Sequence, residues 1–271
     1  MTTTERPLAL VTGASSGIGY ELARQFAQHG FDVVVTAEDA ELDTAAASLK
    51  EYGGQVMPVR ADLTRYDEVE RLWTATVAAG RPLDAVAINA GVGVGGAFTR
   101  ETSLEAELKL IELNVTSAVH LAKRAVAAMT TRGKGKILFT SSVAALTPGP
   151  FEAVYAASKA FLHSFAEALR GELKDSGVTV TSLLPGPTDT EFFERAGMED
   201  TRVGSGKKDD PAEVARQGFD ALMKGDDKVV AGSFMNKVQD VAGRVAPDTA
   251  KAAVHRRMAE PGKGGTSGKD E

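Results

Sequence analysis

The chain has 271 residues, of which 43% are hydrophobic and 25% charged, proportions that suit one large globular α/β domain, or at most two small ones. Its 31 Lys and Arg against 37 Asp and Glu leave a formal net charge of -6, which argues against nucleic acid or an anionic membrane as partner and leaves small molecules. The absence of cysteine excludes disulfides, thiolate metal sites and cysteine nucleophiles, and fits a cytoplasmic setting.

The opening MTTTERPLALVTG holds no apolar run of signal-peptide length, and nowhere do about 18 apolar residues follow one another. Short apolar runs alternate with segments of helical period, the pattern of βαβ units in a parallel sheet covered on both faces. The predicted strands are PLALVT (7–12), DVVVTA (32–37), QVMPVR (55–60), DAVAIN (84–89), GKILFTS (135–141), VTVTSLL (178–184) and KVVAG (228–232). Pro58 cannot donate a ladder hydrogen bond and so belongs on an edge strand. The third strand is an edge in the doubly wound order 3-2-1-4-5-6-7, so residue and topology agree.

Between the strands, Ile18, Leu22 and Phe26 share one helical face, and Val69, Leu72, Trp73 and Val77 another. Leu108, Ile111, Leu113, Val115, Val119 and Leu121 are expected to lie together on a long third face, and Phe and Trp on these faces to pack in the core. Residues 187–210 are too long and too polar for an ordinary connection, so they form either a functional lid, with Phe192, Phe193 and Met198 as its apolar side, or a disordered segment. Met235, Val238, Val241, Ala242 and Val245 have helical period and suit packing on the domain or a neighbouring subunit, while Arg256 and Arg257 suit a solvated face. We expect one dinucleotide-binding unit over residues 1–260, with a substrate loop at about 187–210, and a flexible low-complexity tail at 261–271.

Strand 1 runs directly into TGASSGIG (12–19) and then a helix. Gly13 can take the tight turn, Gly17 admits a pyrophosphate close to the backbone, and Gly19 lets helix and strand pack, with Ser15, Ser16 and Ile18 between them. The free N–H groups and dipole of the helix start attract phosphates. Further on, VYAASKAFLHSF places Tyr155 and Lys159 four residues apart, on one helical face. A tyrosine titrates near ~10, and lowering that by about 3 units requires roughly 4 kcal/mol. One ammonium at about 5 Å in an effective dielectric near 20 supplies about 3 kcal/mol, so the lysine is expected nearly to suffice. Ser142, at the mouth of strand 5, can hydrogen-bond a substrate oxygen, although a serine pair such as Ser141-Ser142 is also a common turn or cap.

The Gly-x3-Gly-x-Gly spacing, followed in order by Asp62-Leu63, Asn89-Ala90-Gly91, Asn114, Ser142, Tyr155, Lys159 and Pro185-Gly186 with Thr188 and Thr190, resembles the classical short-chain dehydrogenase/reductase family over roughly residues 7–232. The resemblance implies a single-domain, seven-stranded Rossmann fold that binds NAD or NADP and moves a hydride between nicotinamide and a secondary alcohol or ketone. It also implies that Asp62-Leu63 contact adenine, that Asn89-Ala90-Gly91 stabilises the sheet, and that Pro185-Gly186 lies near the nicotinamide. Asn114, Ser142, Tyr155 and Lys159 would be the catalytic tetrad, with Lys159 holding the nicotinamide ribose and Asn114 bending its helix and positioning a water. A homodimer or homotetramer, joined through helices at 103–131 and 152–175, follows from the same resemblance.

Ile88 stands where the family often has a second Asn. Glu38 and Asp39 stand where NADP users commonly carry Arg, and Ser16 where some carry Lys or Arg. Carboxylates accept hydrogen bonds from a ribose diol and repel a 2′-phosphate, which favours NAD, but acids there also suit the start of the next helix. His29, His120, His163 and His255 share no metal-ligand spacing, so no metal site is expected. The alternatives are a dinucleotide-sensing or scaffold protein that has lost catalysis, which would be expected to lose Tyr155 or Lys159, and a nucleotide-sugar epimerase, which would have another glycine spacing and a longer substrate domain.

Overall fold

Side chains of a strand point alternately to opposite faces, so a strand covered on both sides must be apolar at every position. The first strand, β1 (Leu8–Thr12), is buried throughout: Leu8 and Leu10 enter one core, Ala9 and Val11 the other. The same division recurs in β4 (Leu83–Ile88), where Val86 and Ile88 face one way and Ala85 and Ala87 the other, and in β5 (Gly135–Thr140), where Ile137 and Phe139 oppose Leu138. In the computed structural model, which describes residues 6–232 and 247–264, these strands join β2 (Asp32–Ala37), β3 (Val56–Arg60), β6 (Val178–Pro185) and β7 (Lys228–Ala231) in one parallel sheet. Its order is β3-β2-β1-β4-β5-β6-β7. Pro58 pairs with Val35 on the outermost strand, where the missing N–H is not needed.

Helices α1 (Gly17–Gln28), α2 (Glu41–Leu49) and α9 (Pro211–Lys224) cover one face of the sheet; α3 (Tyr66–Val77), α5 (Ser117–Arg132) and α6 (Ala153–Glu172) cover the other. On the first face Phe26 meets Phe219 edge to face, ring centres 5.2 Å apart. Leu22 and Phe26 are fully buried, as are Val69 and Leu72, whereas Val77 is half exposed.

The third apolar face departs from expectation. Helix α4 (Leu104–Ile111) continues through a π-helical turn, Glu112–Thr116, into α5. One extra residue in that turn rotates the later side chains about the axis, so a single 3.6-residue count does not hold across it. Leu110, Ala118, Leu121, Ala122 and Ala125 reach the core, while Leu104, Leu108, Ile111 and Val119 lie exposed, as does Phe161 on α6.

Residues 187–210 are ordered. Short helices α7 (Phe192–Arg195) and α8 (Arg202–Ser205) and a bridge between Thr188 and Asp209 give the segment its shape. Beyond β7, helix α10 (Asp248–Ala259) returns to the same end of the molecule. Met235, Val238, Val241, Ala242 and Val245, and the tail from 265 onward, lie outside the described residues. Among the described residues no helix is long and apolar enough to cross a membrane.

Candidate active site

In a parallel sheet the loops after every strand emerge at one edge, and here they enclose a cleft of about 950 Å³. Its walls carry Gly13, Ser15, Ser16, Gly17, Ile18 and Gly19 after β1, and Glu38 and Asp39 after β2. Asp62 and Leu63 follow β3, Asn89, Ala90 and Gly91 follow β4, Ser142 follows β5, and Pro185, Gly186, Thr188 and Thr190 follow β6. Tyr155 and Lys159 descend into the same space from α6. Asn114 lies beneath the cleft, fully buried, rather than on its wall.

The glycine turn behaves as its composition requires. Gly13 and Gly17 have φ of 65° and 55°, the left-handed region that disfavours a side chain. A Cβ on Gly19 would stand 1.8 Å from the Gly13 carbonyl oxygen. Ser16 stands at the cap position just before helix α1, its side chain makes no capping bond, and no acid occupies the first turn. The first N–H groups are therefore open to an anion, as a dinucleotide's pyrophosphate needs. Asn89 donates its amide to the Thr12 carbonyl (3.1 Å), and the Asn89 and Ala90 N–H groups both donate to Thr12 Oγ1 at 2.9 Å, which locks the turn after β4 to the one after β1.

At the adenosine end, Asp39 accepts a hydrogen bond from Ser15 Oγ at 2.8 Å, and its second oxygen is buried without a partner. Glu38 is more exposed, its carboxylate 4.0 Å from Lys109 Nζ. Helix α2 takes its first-turn acids from Glu41 and Asp43, so Glu38 and Asp39 are not needed there. Burial opposes ionisation of Asp62, but hydrogen bonds from the Thr64 hydroxyl and N–H, with Lys109 and Arg65 nearby, hold its carboxyl below the usual range. A dinucleotide fits these residues: an uncapped helix start, a glycine cradle and a buried acceptor that lacks a donor.

At the other end, Lys159 Nζ donates to the Thr140 carbonyl at 3.0 Å, and Ser141 Oγ to the Lys159 carbonyl at 2.7 Å. Ser142 Oγ caps the short turn Val143–Leu146 by accepting from Ala144 N–H (3.1 Å), and it stands near enough to Tyr155 to oppose the rise of the phenol's pKa. The serine is a cap and a site residue together. Asn114 sits in the π-turn; its amide donates to the Val92 carbonyl and Ser158 Oγ, and its oxygen accepts from Val92 N–H. Asn114 thus lies in the irregular turn that joins α4 to α5.

The expected acidification of Tyr155 is not. Burial pushes the phenol well above its ordinary range, the Glu152 carboxylate adds to this, and the Ser142 hydroxyl only partly opposes it. Lys159 Nζ lies 5.8 Å from the centre of the tyrosine ring, and burial lowers its own pKa to about 8. Desolvation of both groups outweighs the ammonium's attraction, a cost that the spacing of the two residues does not reveal.

Beyond the tyrosine the cleft is walled by α7 and α10. Phe192 packs against Tyr155, ring centres 5.2 Å apart, and against Phe193. Residues 187–210 lie on the loop after β4, where Gly95 N–H donates to the Ala196 carbonyl and a Cβ on Gly93 would strike the Phe192 ring. Val254, His255, Met258 and Ala259 line the same space. Sequence reasoning left out Thr12, Glu152 and His255. A lone carboxylate three residues before Tyr155 was a usable signal for Glu152; nothing local marked His255.

The description "short chain dehydrogenase" covers the family model that matches residues 7–200. Serine 3-dehydrogenase of Agrobacterium fabrum is 31% identical over 236 residues, 87% of either chain. A short-chain dehydrogenase of Sphingobium yanoikuyae, solved in complex with NADPH, superposes with a TM-score of 0.79 at 30% identity, covering 94% of this chain and 96% of that one. The bulky-bulky ketone specific alcohol dehydrogenase of Comamonas testosteroni does so with a TM-score of 0.76 at 26% identity, covering 95% and 96%. With its glycine turn, its sheet order and the cleft that gathers the predicted residues, the chain belongs to the short-chain dehydrogenase family of NAD(P)-dependent oxidoreductases.

Proposed function

We propose that this protein interconverts a ketone and a secondary alcohol at the expense of a nicotinamide dinucleotide, with Tyr155 handling the proton on oxygen. The observation that carries the reading is the meeting of Tyr155, Ser142 and Lys159 in one cleft with the glycine turn. A chain that had become a sensor or scaffold would have no need to keep that set together. A bound nicotinamide supplies or accepts the hydride at the carbinol carbon. In reduction, Ser142 holds the carbonyl oxygen while Tyr155, kept protonated by burial and Glu152, gives its proton to that oxygen as the carbon becomes tetrahedral. Lys159, whose pKa of about 8 lies near working pH, is suited to pass a proton back to the phenolate. Oxidation needs the phenolate first, so the unassisted cleft favours the reductive direction.

Gly13, Gly17 and Gly19 with the start of α1 would hold the pyrophosphate, Asp62 and Leu63 the adenine, and Lys159 with Pro185, Gly186, Thr188 and Thr190 the nicotinamide half. The unpartnered oxygen of Asp39 suits a ribose hydroxyl and repels a 2′-phosphate, so we infer a preference for NAD, although the Sphingobium relative was solved with NADPH. Phe192, Phe193, Val254 and Met258 make the substrate half apolar, which supports a ketone with sizeable apolar flanks. The exposed Leu104, Leu108, Ile111 and Val119 on α4–α5 and Phe161 on α6 support assembly with copies of the same chain through those helices.

Tyr155→Phe should lower kcat by about 10²–10⁴-fold, the usual weight of an acid–base group, while the Kd for cofactor, followed by nicotinamide fluorescence, stays within a few fold. Wild-type turnover in that variant would remove the phenol from the chemistry. Initial rates with the two cofactors should give a kcat/KM for NAD at least about tenfold above that for NADP; the reverse order would defeat the assignment. In light scattering, the wild type should run as a dimer or tetramer and Leu108→Glu with Val119→Glu should shift it towards monomer; a monomeric wild type would contradict the assembly.

Lys159→Met tests the burial argument. Holding Lys159 at about 8 instead of 10.5 costs roughly 3 kcal/mol, and losing the bond to the Thr140 carbonyl gives back about 1. The lysine's folded pKa is depressed, so its penalty is complete below about pH 8 and fades as pH rises towards 10.5. The inactive variant should therefore be more stable than wild type by about 2 kcal/mol at neutral pH in urea unfolding, with the gap shrinking above pH 8. A variant less stable than wild type at neutral pH would show that the ammonium is well solvated or paired.

A further inference from the structure

The family match ends at residue 200, yet one wall of the cleft comes from α10, far beyond it. This helix is fastened at two points. Near its middle, His255 Nε2 donates to Glu152 Oε2 at 2.8 Å, the side chains only 16% and 8% exposed. At its far end, Ala259 is buried with Phe193, Ala196 and Met198 of residues 187–210, and Gly262 N–H donates to Asp200 Oδ2 at 2.9 Å. Glu152 directly precedes α6 and stands three residues, one helical turn, before Tyr155.

The residue before Glu152 is strained. Phe151 has a φ of 68°, the one non-glycine residue with positive φ among those described. A bulky side chain holds that conformation only where its surroundings impose it. Here its carbonyl accepts from Gly96 N–H at 2.8 Å, and the Arg256 guanidinium lies over its ring, 5.9 Å from the centre. Two consecutive residues of the turn before α6 thus contact two consecutive residues of α10: Phe151 with Arg256, Glu152 with His255. Glu152 and His255 also line the cleft, beside Val254 and Met258.

We propose that the Glu152–His255 pair is a specificity-determining clasp: it seats α10 against the start of the tyrosine helix and so makes Val254 and Met258 the outer wall for the bulky apolar flank of the carbonyl substrate. The substrate half of this proposal rests on the oxidoreductase reading above; the clasp itself does not. An open α10 leaves a small ketone's contacts with Ser142, Tyr155 and Phe192 in place and takes away those of a large apolar group. Selection by size therefore follows the clasp. Because the two side chains act as one unit, removing either should do the same damage as removing both.

The test uses the full-length wild type, Glu152→Leu, His255→Leu, the double variant, and His255→Gln, which keeps a donor for the carboxylate. Reduction of butan-2-one and of propiophenone gives the ratio of kcat/KM for the large over the small ketone. That ratio should fall at least about fivefold in each single variant, no further in the double variant, and recover in His255→Gln. In parallel, tryptic cleavage after Arg256 and Arg257 should quicken by at least about fivefold in His255→Leu, since both bonds lie inside α10. An unchanged ratio, or losses that multiply in the double variant, would overturn the specificity role; unchanged cleavage would overturn the clasp. A wild type that reduces no carbonyl compound with either cofactor would sink the activity reading and with it the substrate half, while the proteolysis comparison would still decide the clasp.

Discussion

The site depends on one junction, where the helix bearing Tyr155 is tied to the end of β5. Lys159 Nζ reaches the Thr140 carbonyl and Ser141 Oγ reaches the Lys159 carbonyl, so α6 cannot slide along the sheet without losing two buried hydrogen bonds. That fixes Tyr155 over the carboxyl edge, next to Ser142 on the following residue of the same strand end. The parallel topology then brings the glycine turn of β1 to the same edge, and the Thr12–Asn89 bonds hold it in register with its neighbour. Position comes from side chains that bond to backbone groups of a neighbouring element, and Lys159 belongs both to this framework and to the site.

Burial gives this junction its cost and its use. A phenol and an ammonium brought together out of water both move towards their neutral forms. A neutral tyrosine is a competent acid for ketone reduction, and a lysine that titrates near 8 can return the proton. The carboxylate of Glu152 strengthens the tyrosine's hold on its proton, and His255 occupies that carboxylate from the other side. Helix α10 is thereby coupled to the same electrostatic neighbourhood as the Tyr155 phenol.

The strands, the glycine turn and the Tyr155–Lys159 spacing were legible in the sequence from local rules, whereas Asp62, Leu63, Asn89, Asn114 and Pro185 came from the family resemblance. Pro58 marks an edge, continuous apolar runs mark buried parallel strands, and Gly13, Gly17 and Gly19 are positions where a Cβ would be strained or would collide. Val119 was misplaced relative to Leu108 and Ile111 because the π-turn at Glu112–Thr116 shifts the helical count between them, and nothing in the local pattern announces it. The pKa of Tyr155 was misjudged because charge separation can be estimated from spacing and desolvation cannot. His255 was missed because its partner lies 103 residues away, a contact that only the tertiary structure makes.

The most direct test of this account is a titration of Tyr155 itself, by the ultraviolet difference absorbance of tyrosinate between the cofactor-free wild type and Tyr155→Phe. With burial and Glu152 in control, no phenolate assignable to Tyr155 should form until the pH is above the ordinary tyrosine value of ~10. A phenolate signal that titrates near neutral pH in the cofactor-free protein would show that Lys159 governs the phenol after all, and would contradict the proposed balance of forces.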